Sequence, residues 1–76
     1  MKKLQVSLFP DPVQDILIIE PGRKIRFVEI FNPLGQKLLQ TTRNEINVST
    51  LTAGIYIIRV YDHERGVAAK KFLKAD

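Results

Sequence analysis

The chain of 76 residues has no cysteine and no tryptophan, one histidine, and only four glycines and four prolines. Without cysteine there is neither a disulfide framework nor a thiolate zinc site to brace a small core. A domain of this length buries only about 60% of the surface its unfolded chain exposes, so hydrophobic packing has to suffice. No apolar run approaches the roughly 20 residues that span a bilayer. Met1-Lys2-Lys3 resembles the charged start of a signal peptide, but Gln5, Ser7 and Pro10-Asp11-Pro12 interrupt the next segment before a hydrophobic core of adequate length appears, and no export signal is expected there.

What is present is a folding composition, 45% hydrophobic and 26% charged, with a formal charge of +4 from 12 basic and 8 acidic residues. The excess favours anionic partners only weakly at physiological ionic strength. Its members are dispersed: Arg23, Lys24 and Arg26 form one group, Lys70, Lys71 and Lys74 another. Such groups read by default as solvated strand faces.

Hydrophobic periodicity gives strand after strand. Leu4 to Phe9 alternates until two prolines stop it, and Asp15 to Glu20 is rich in β-branched residues before the Pro21-Gly22 turn. Ile25 to Phe31 puts Val28 and Ile30 on one face and Phe27, Glu29 and Phe31 on the other. Asn32-Pro33-Leu34-Gly35 then turns the chain so that Lys37 to Thr41 returns antiparallel. A short strand from Glu45 to Val48 precedes Ser49 to Gly54, too short for a stable helix and expected to make one tight turn with Leu51 tucked inward. The strand from Gly54 directs Tyr56, Ile58 and Val60 to the core and Ile55, Ile57 and Arg59 away from it. Asp62 to Gly66 is a hairpin loop in which Gly66 suits a positive φ, and Val67 to Lys74 is the last strand. Seven short strands at intervals of about ten residues predict an antiparallel β-sandwich, with a five- or six-stranded barrel as rival. The chain contains no repeat, linker or low-complexity segment and reads as a single domain over 1–76.

The inventory of chemistry is thin. His63 sits in a polar loop, where a solvated turn residue is the default over a general base. Ser7, Ser49 and the threonines lack any spacing that pairs them with His63 and a carboxylate, and the glycines form no phosphate loop. The acidic residues are scattered, so no converging ligand set for a metal is evident, although Asp62 and Glu64 flank His63. Asn47-Val48-Ser49 fits the N-glycosylation pattern but lies at a strand end, where chance explains it. A strand-rich basic chain invites a nucleic-acid reading. Its aromatics, Phe9, Phe27, Phe31, Tyr56, Tyr61 and Phe72, occupy positions a core claims, and no aromatic-basic cluster forms. No enzymatic activity, cofactor, metal or nucleic-acid partner is expected.

Four segments taken in order carry a resemblance: Phe9-Pro10-Asp11-Pro12, the strand and turn from Val28 to Leu38 with Gly35, Leu51-Thr52-Ala53-Gly54-Ile55-Tyr56, and the lysine-rich end Lys70, Lys71 and Lys74. Together they resemble the C-terminal sorting domain of proteins exported by the bacterial type IX secretion system, over about residues 6–74. Asp11 stands where the family usually has Asn, and both can hydrogen-bond locally to a turn backbone. The resemblance implies an immunoglobulin-like β-sandwich that acts as substrate, not catalyst. An upstream cargo, covalently linked, crosses the outer membrane through the translocon by way of the periplasm. A sortase-like peptidase then usually removes the domain, and the cargo stays at the cell surface or in the medium. A sorting domain follows a cargo and a linker, so the start at Met1-Lys2-Lys3 implies an excised piece or a natural fragment. Pro10, Asp11, Pro12, Gly35, Leu51, Gly54, Tyr56, Lys70, Lys71 and Lys74 are the candidate recognition residues. Each also has a plain structural role available: prolines end strands, glycines permit turns, and lysines protect an edge. The alternative function is an adhesive or carbohydrate-binding sandwich module, disfavoured by the lack of Trp for a sugar platform.

Overall fold

The computed structural model describes residues 2–20 and 25–76, with side chains from Leu4 onward. The turn expected at Pro21-Gly22, with Arg23 and Lys24, lies outside the described residues. Eight strands succeed one another: β1 (Lys2–Lys3), β2 (Ser7–Phe9), β3 (Ile16–Glu20), β4 (Ile25–Phe31), β5 (Lys37–Thr41), β6 (Glu45–Asn47), β7 (Gly54–Asp62) and β8 (Gly66–Lys74). They form a five-stranded sheet ordered β1-β8-β7-β4-β5 and a three-stranded sheet ordered β2-β3-β6. Among the described residues the strand pairings are antiparallel except that of β1, which runs parallel to β8 at Gly66 and Val67, and an isolated bridge between Val13 and Lys74 is parallel as well. The barrel alternative fails because two separate sheets enclose the core.

That core follows from the two-residue period. On β7, Tyr56, Ile58 and Val60 point inward, and register places Ile58 opposite Ile30 and Val60 opposite Val28. The smaller sheet contributes Leu17, Ile19 and Ile46, and Phe72 and Ala68 come from β8. Val28, Ile30, Ile58 and Val60 are fully buried, each contributing about 1.5–3 kcal/mol of transfer free energy. Leu51 is half-buried against this cluster, and its N–H bonds to the Val48 carbonyl at 3.0 Å, so the expected tight turn is present.

The first expected strand differs. Of Leu4 to Phe9 only Ser7–Phe9 is strand, because the chain leaves β1 (Lys2–Lys3) in one sheet and crosses over residues 4–6 to the other, a switch that the alternation of Leu4, Val6 and Leu8 does not reveal. The β7–β8 hairpin is a second correction. The positive φ belongs to Arg65, at 65°, and not to Gly66. Gly66 is buried because the Asp62 carboxylate turns back over it: Oδ1 accepts the N–H groups of Gly66 and of Glu64. A Cβ on Gly66 would stand 2.8 Å from Asp62 Cγ, so the glycine is required by close approach. Asp62 is therefore a buried turn acceptor and not a solvated loop residue.

Candidate recognition end

Residues 10–14 lie far from β8 in sequence but are fastened to its end. Asp11 Oδ1 accepts the Leu73 N–H at 2.9 Å. Val13, fully buried, donates its N–H to the Leu73 carbonyl at 2.9 Å and accepts from the Ala75 N–H at 2.8 Å. Gln14 Nε2 reaches the Asp76 carbonyl at 2.7 Å. The Pro10-Asp11-Pro12 segment thus works as a clip, in which Pro10 and Pro12 shape the backbone and Asp11 supplies the oxygen. Asn offers the same oxygen, which gives the exchange of Asn for Asp at this position a physical basis.

The Leu51-to-Tyr56 segment is a corner. Gly54 has a φ of 151°, a conformation that L side chains rarely adopt, and it starts β7 directly beneath the turn that seats Leu51. Two residues on, the inward Tyr56 ring stacks on Phe72 with centroids 5.7 Å apart. Its hydroxyl donates back to the Thr52 carbonyl at 2.5 Å and lies 3.1 Å from Thr52 Oγ1. A tyrosine near a strand start whose hydroxyl closes on upstream backbone is the tyrosine corner of immunoglobulin-like sandwiches.

The β4–β5 hairpin completes the set. Asn32 Oδ1 accepts the N–H groups of Leu34 and Gln36, both at 3.0 Å, and Gly35 takes a φ of 86°. Register puts this hairpin at the same end as the start of β7 and the finish of β8, since Phe31 pairs with Ile57 and Gly54 with Lys74. Pro10 to Pro12, Gly35, Leu51 to Tyr56 and Lys74 therefore gather at one end of a molecule 35 Å long.

The same end carries the exposed apolar side chains. Phe9, Ile16, Leu34, Leu38, Ile55 and Leu73 are the large hydrophobic residues left exposed among the described residues. Each lies in or beside the 10–15 loop, the Asn32–Gln36 hairpin, the start of β7 or the finish of β8. Ile55 and Leu73 are cross-strand partners on the outer face of the larger sheet. With Asp11, Lys71 and Phe72 they line an open hollow of about 240 Å³. Phe31, Gly35, Ile57 and Arg59 line another of about 250 Å³, with the Arg59 guanidinium 5.4 Å from the Phe31 ring centre. The sequence motifs did not single out Ile55, Leu73 and Leu34, which are among the most exposed apolar side chains of this end. The signal was visible in Gly54-Ile55-Tyr56-Ile57-Ile58, a strand apolar on both faces although only one face meets the core.

The lysines do not act as one basic stripe. Lys70 and Lys71 are both exposed: Lys71 stands on the outer face, while Lys70 reaches from the other face of β8 and donates from Nζ to the Val6 carbonyl at 3.0 Å. Lys74 is only 5% exposed, with Nζ on the Ala75 carbonyl at 2.7 Å, because β8 alternates and its even positions face the core. The expectation of three solvent-facing lysines is corrected for Lys74. His63 is exposed in the hairpin loop at the opposite end, and no group of three metal-ligating side chains converges among the described residues. No helix of the described residues is long and apolar enough to cross a membrane.

A family model described as the secretion system C-terminal sorting domain matches residues 7–75. No curated protein and no solved structure matches the chain.

Proposed function

The chain belongs to the family of secretion system C-terminal sorting domains, the signals that direct cargo through type IX secretion, and on that premise we propose that its cargo-distal end is the surface the machinery reads. Membership implies linkage to an upstream cargo and export to the cell surface or beyond. The finer reading is that the domain is substrate and not catalyst, passes through the periplasm with its cargo, and is afterwards removed by a sortase-like peptidase. The inventory supports this, with one loop histidine, no cysteine and dispersed carboxylates.

One observation carries the assignment of the surface. Leu4 meets β8 at Val67, next to the β7–β8 hairpin, while Pro10-Asp11-Pro12, the Gly35 turn and Leu51 to Tyr56 lie at the opposite end. Upstream sequence therefore joins at one end, and Pro10, Asp11, Pro12, Gly35, Leu51, Gly54 and Tyr56 shape the other. In this reading they act by holding Ile55, Leu73 and Leu34 in place, with Lys71 beside them as the exposed charge. Lys74, which is buried, supports the strand from within, and Lys70 fastens the crossing residue Val6 to β8.

The test fuses the chain behind a periplasmically targeted reporter in a bacterium with type IX secretion. The unaltered fusion is expected at the surface or in the medium. Ile55→Asp with Leu73→Glu changes side chains that are 55% and 42% exposed, where substitutions usually shift stability by only about 0.5 kcal/mol. That variant is expected to stay folded and remain in the periplasm. Failure of the unaltered fusion, beside an exported control domain, sinks the sorting function for this chain; undiminished export of the folded double variant sinks only the assignment of the surface.

A further inference from the structure

Strand β8 is paired with β7 on one side from Val67 to Lys74, but on the other, among the described residues, it is covered only at its ends. The amino-terminal chain runs beside Gly66 and Val67, with the Leu4 N–H on the Val67 carbonyl at 3.3 Å. It then leaves for the other sheet and returns at Val13, beside Leu73 and Lys74. The backbone groups of Val67 and Leu73 point to this outer edge. By the alternation of an antiparallel ladder, those of Ala69 and Lys71 point there too. Among the described residues nothing pairs with these two N–H and two carbonyl groups.

Beside the gap lies a cleft of about 560 Å³ lined by Leu4, Gln5, Val6, Ser7, Glu20 and the β8 residues Val67 to Lys70. Ala68 and Ala69 leave room there. Lys70 Nζ bonds the Val6 carbonyl within it and has further N–H groups to offer. From Val67 to Leu73 the strand runs roughly 20 Å, and with both ends covered about three residues of edge are open.

We propose that this gap binds a short extended segment of an acidic polypeptide by strand addition. Its backbone pairs with Ala69 and Lys71, and a carboxylate meets the Lys70 ammonium. Glu20 stands on the far wall of the cleft and directs that carboxylate to the β8 side. The edge supplies alternating donors and acceptors that only an extended backbone matches, and the lysine selects its charge. Resting on the sorting reading, the segment belongs to a protein of the secretion machinery.

The experiment titrates the isotope-labelled 76-residue chain, followed by amide NMR, with the capped pentapeptide Thr-Val-Glu-Val-Thr and its counterpart with Gln for Glu. Without peptide, the Ala69 and Lys71 amides are expected to exchange at least about tenfold faster than those of Ala68, Lys70 and Phe72, which bond to β7. With peptide, Ala69 and Lys71 shift and become protected, and the Glu peptide binds about fivefold tighter than the Gln peptide. Lys70→Gln removes that preference. Ala69→Pro deletes an outward N–H without touching the β7 ladder, and it abolishes binding. Four results overturn the proposal: protection of both amides in the free chain, equal affinity for the two peptides, shifts confined to Phe9, Ile55 and Leu73, or shifts that follow protein concentration without peptide and so mark a second copy in the gap. Because export plays no part in this assay, it fails separately from the sorting function.

Discussion

Truncating Tyr56 to alanine should come close to unfolding the domain. The side chain is 6% exposed, stacks on Phe72, and closes the corner through its hydroxyl to Thr52. Removing a buried aromatic ring costs about 3–5 kcal/mol in transfer and cavity terms. A chain of this length has only about 4–11 kcal/mol to lose, on the scale of 0.05–0.15 kcal/mol per residue. Tyr56→Phe separates the two contributions: the ring and its stack remain, and only the hydroxyl bonds go. Thr52 is exposed, so water replaces the lost donor and the expected cost is about 0.5–1.5 kcal/mol. In urea melts followed by circular dichroism, Tyr56→Ala should lower the midpoint by about 2 M or more, with a fall in melting temperature of roughly 12 °C or more. Tyr56→Phe should lower the melting temperature by about 2–12 °C. A loss below about 1 kcal/mol for Tyr56→Ala would refute the reasoning, because no well-packed aromatic is that cheap to remove.

Gly66→Ala should destabilise by about 1–3 kcal/mol in the same melts, since its Cβ displaces the Asp62 carboxylate from two backbone N–H groups. Asn, which tolerates positive φ, should be no better at this position; rescue by Asn would show that conformation and not space is the constraint. Lys71→Glu should change stability by no more than about 0.5 kcal/mol, whereas Lys74→Glu, at a position 5% exposed, should cost about 1–3 kcal/mol. Equal effects at the two sites would contradict the placement of β8.

Most of this fold was legible because strand period and turn chemistry agree locally. Ile25 to Phe31 and Lys37 to Thr41 appear with the bounds read from the sequence, since Asn32-Pro33-Leu34-Gly35 specifies the turn between them. The faces of β7 were legible for the same reason. The sheet switch between Leu4 and Ser7 was not, because alternation reports which side of a strand is apolar and says nothing of which sheet the strand joins. Lys74 was misread because charge alone suggested solvent, while parity with Phe72 already placed it inward. Asp11 was recognised as a turn former, but its actual partner, the Leu73 N–H, is a nonlocal contact that no local pattern contains. The end-on gathering of motifs was likewise invisible in one dimension, since it depends on which strands run up and which run down.

The clip between Val13 and β8 has a consequence for timing. Ser7–Phe9 pair early with β3, but Leu4, Asp11 and Val13 find their hydrogen-bond partners in Val67, Leu73 and Ala75, so this edge of the larger sheet closes only once β8 is made. In a domain whose family stands at the carboxyl terminus of its protein, this ties the finished fold to the final residues made. A cargo cut short by premature termination would emerge without β8, with no stack for Tyr56 and nothing for Asp11 to hold. Folding of this domain therefore waits on its last strand: the two ends of the chain close the same edge, and neither is in place before the other.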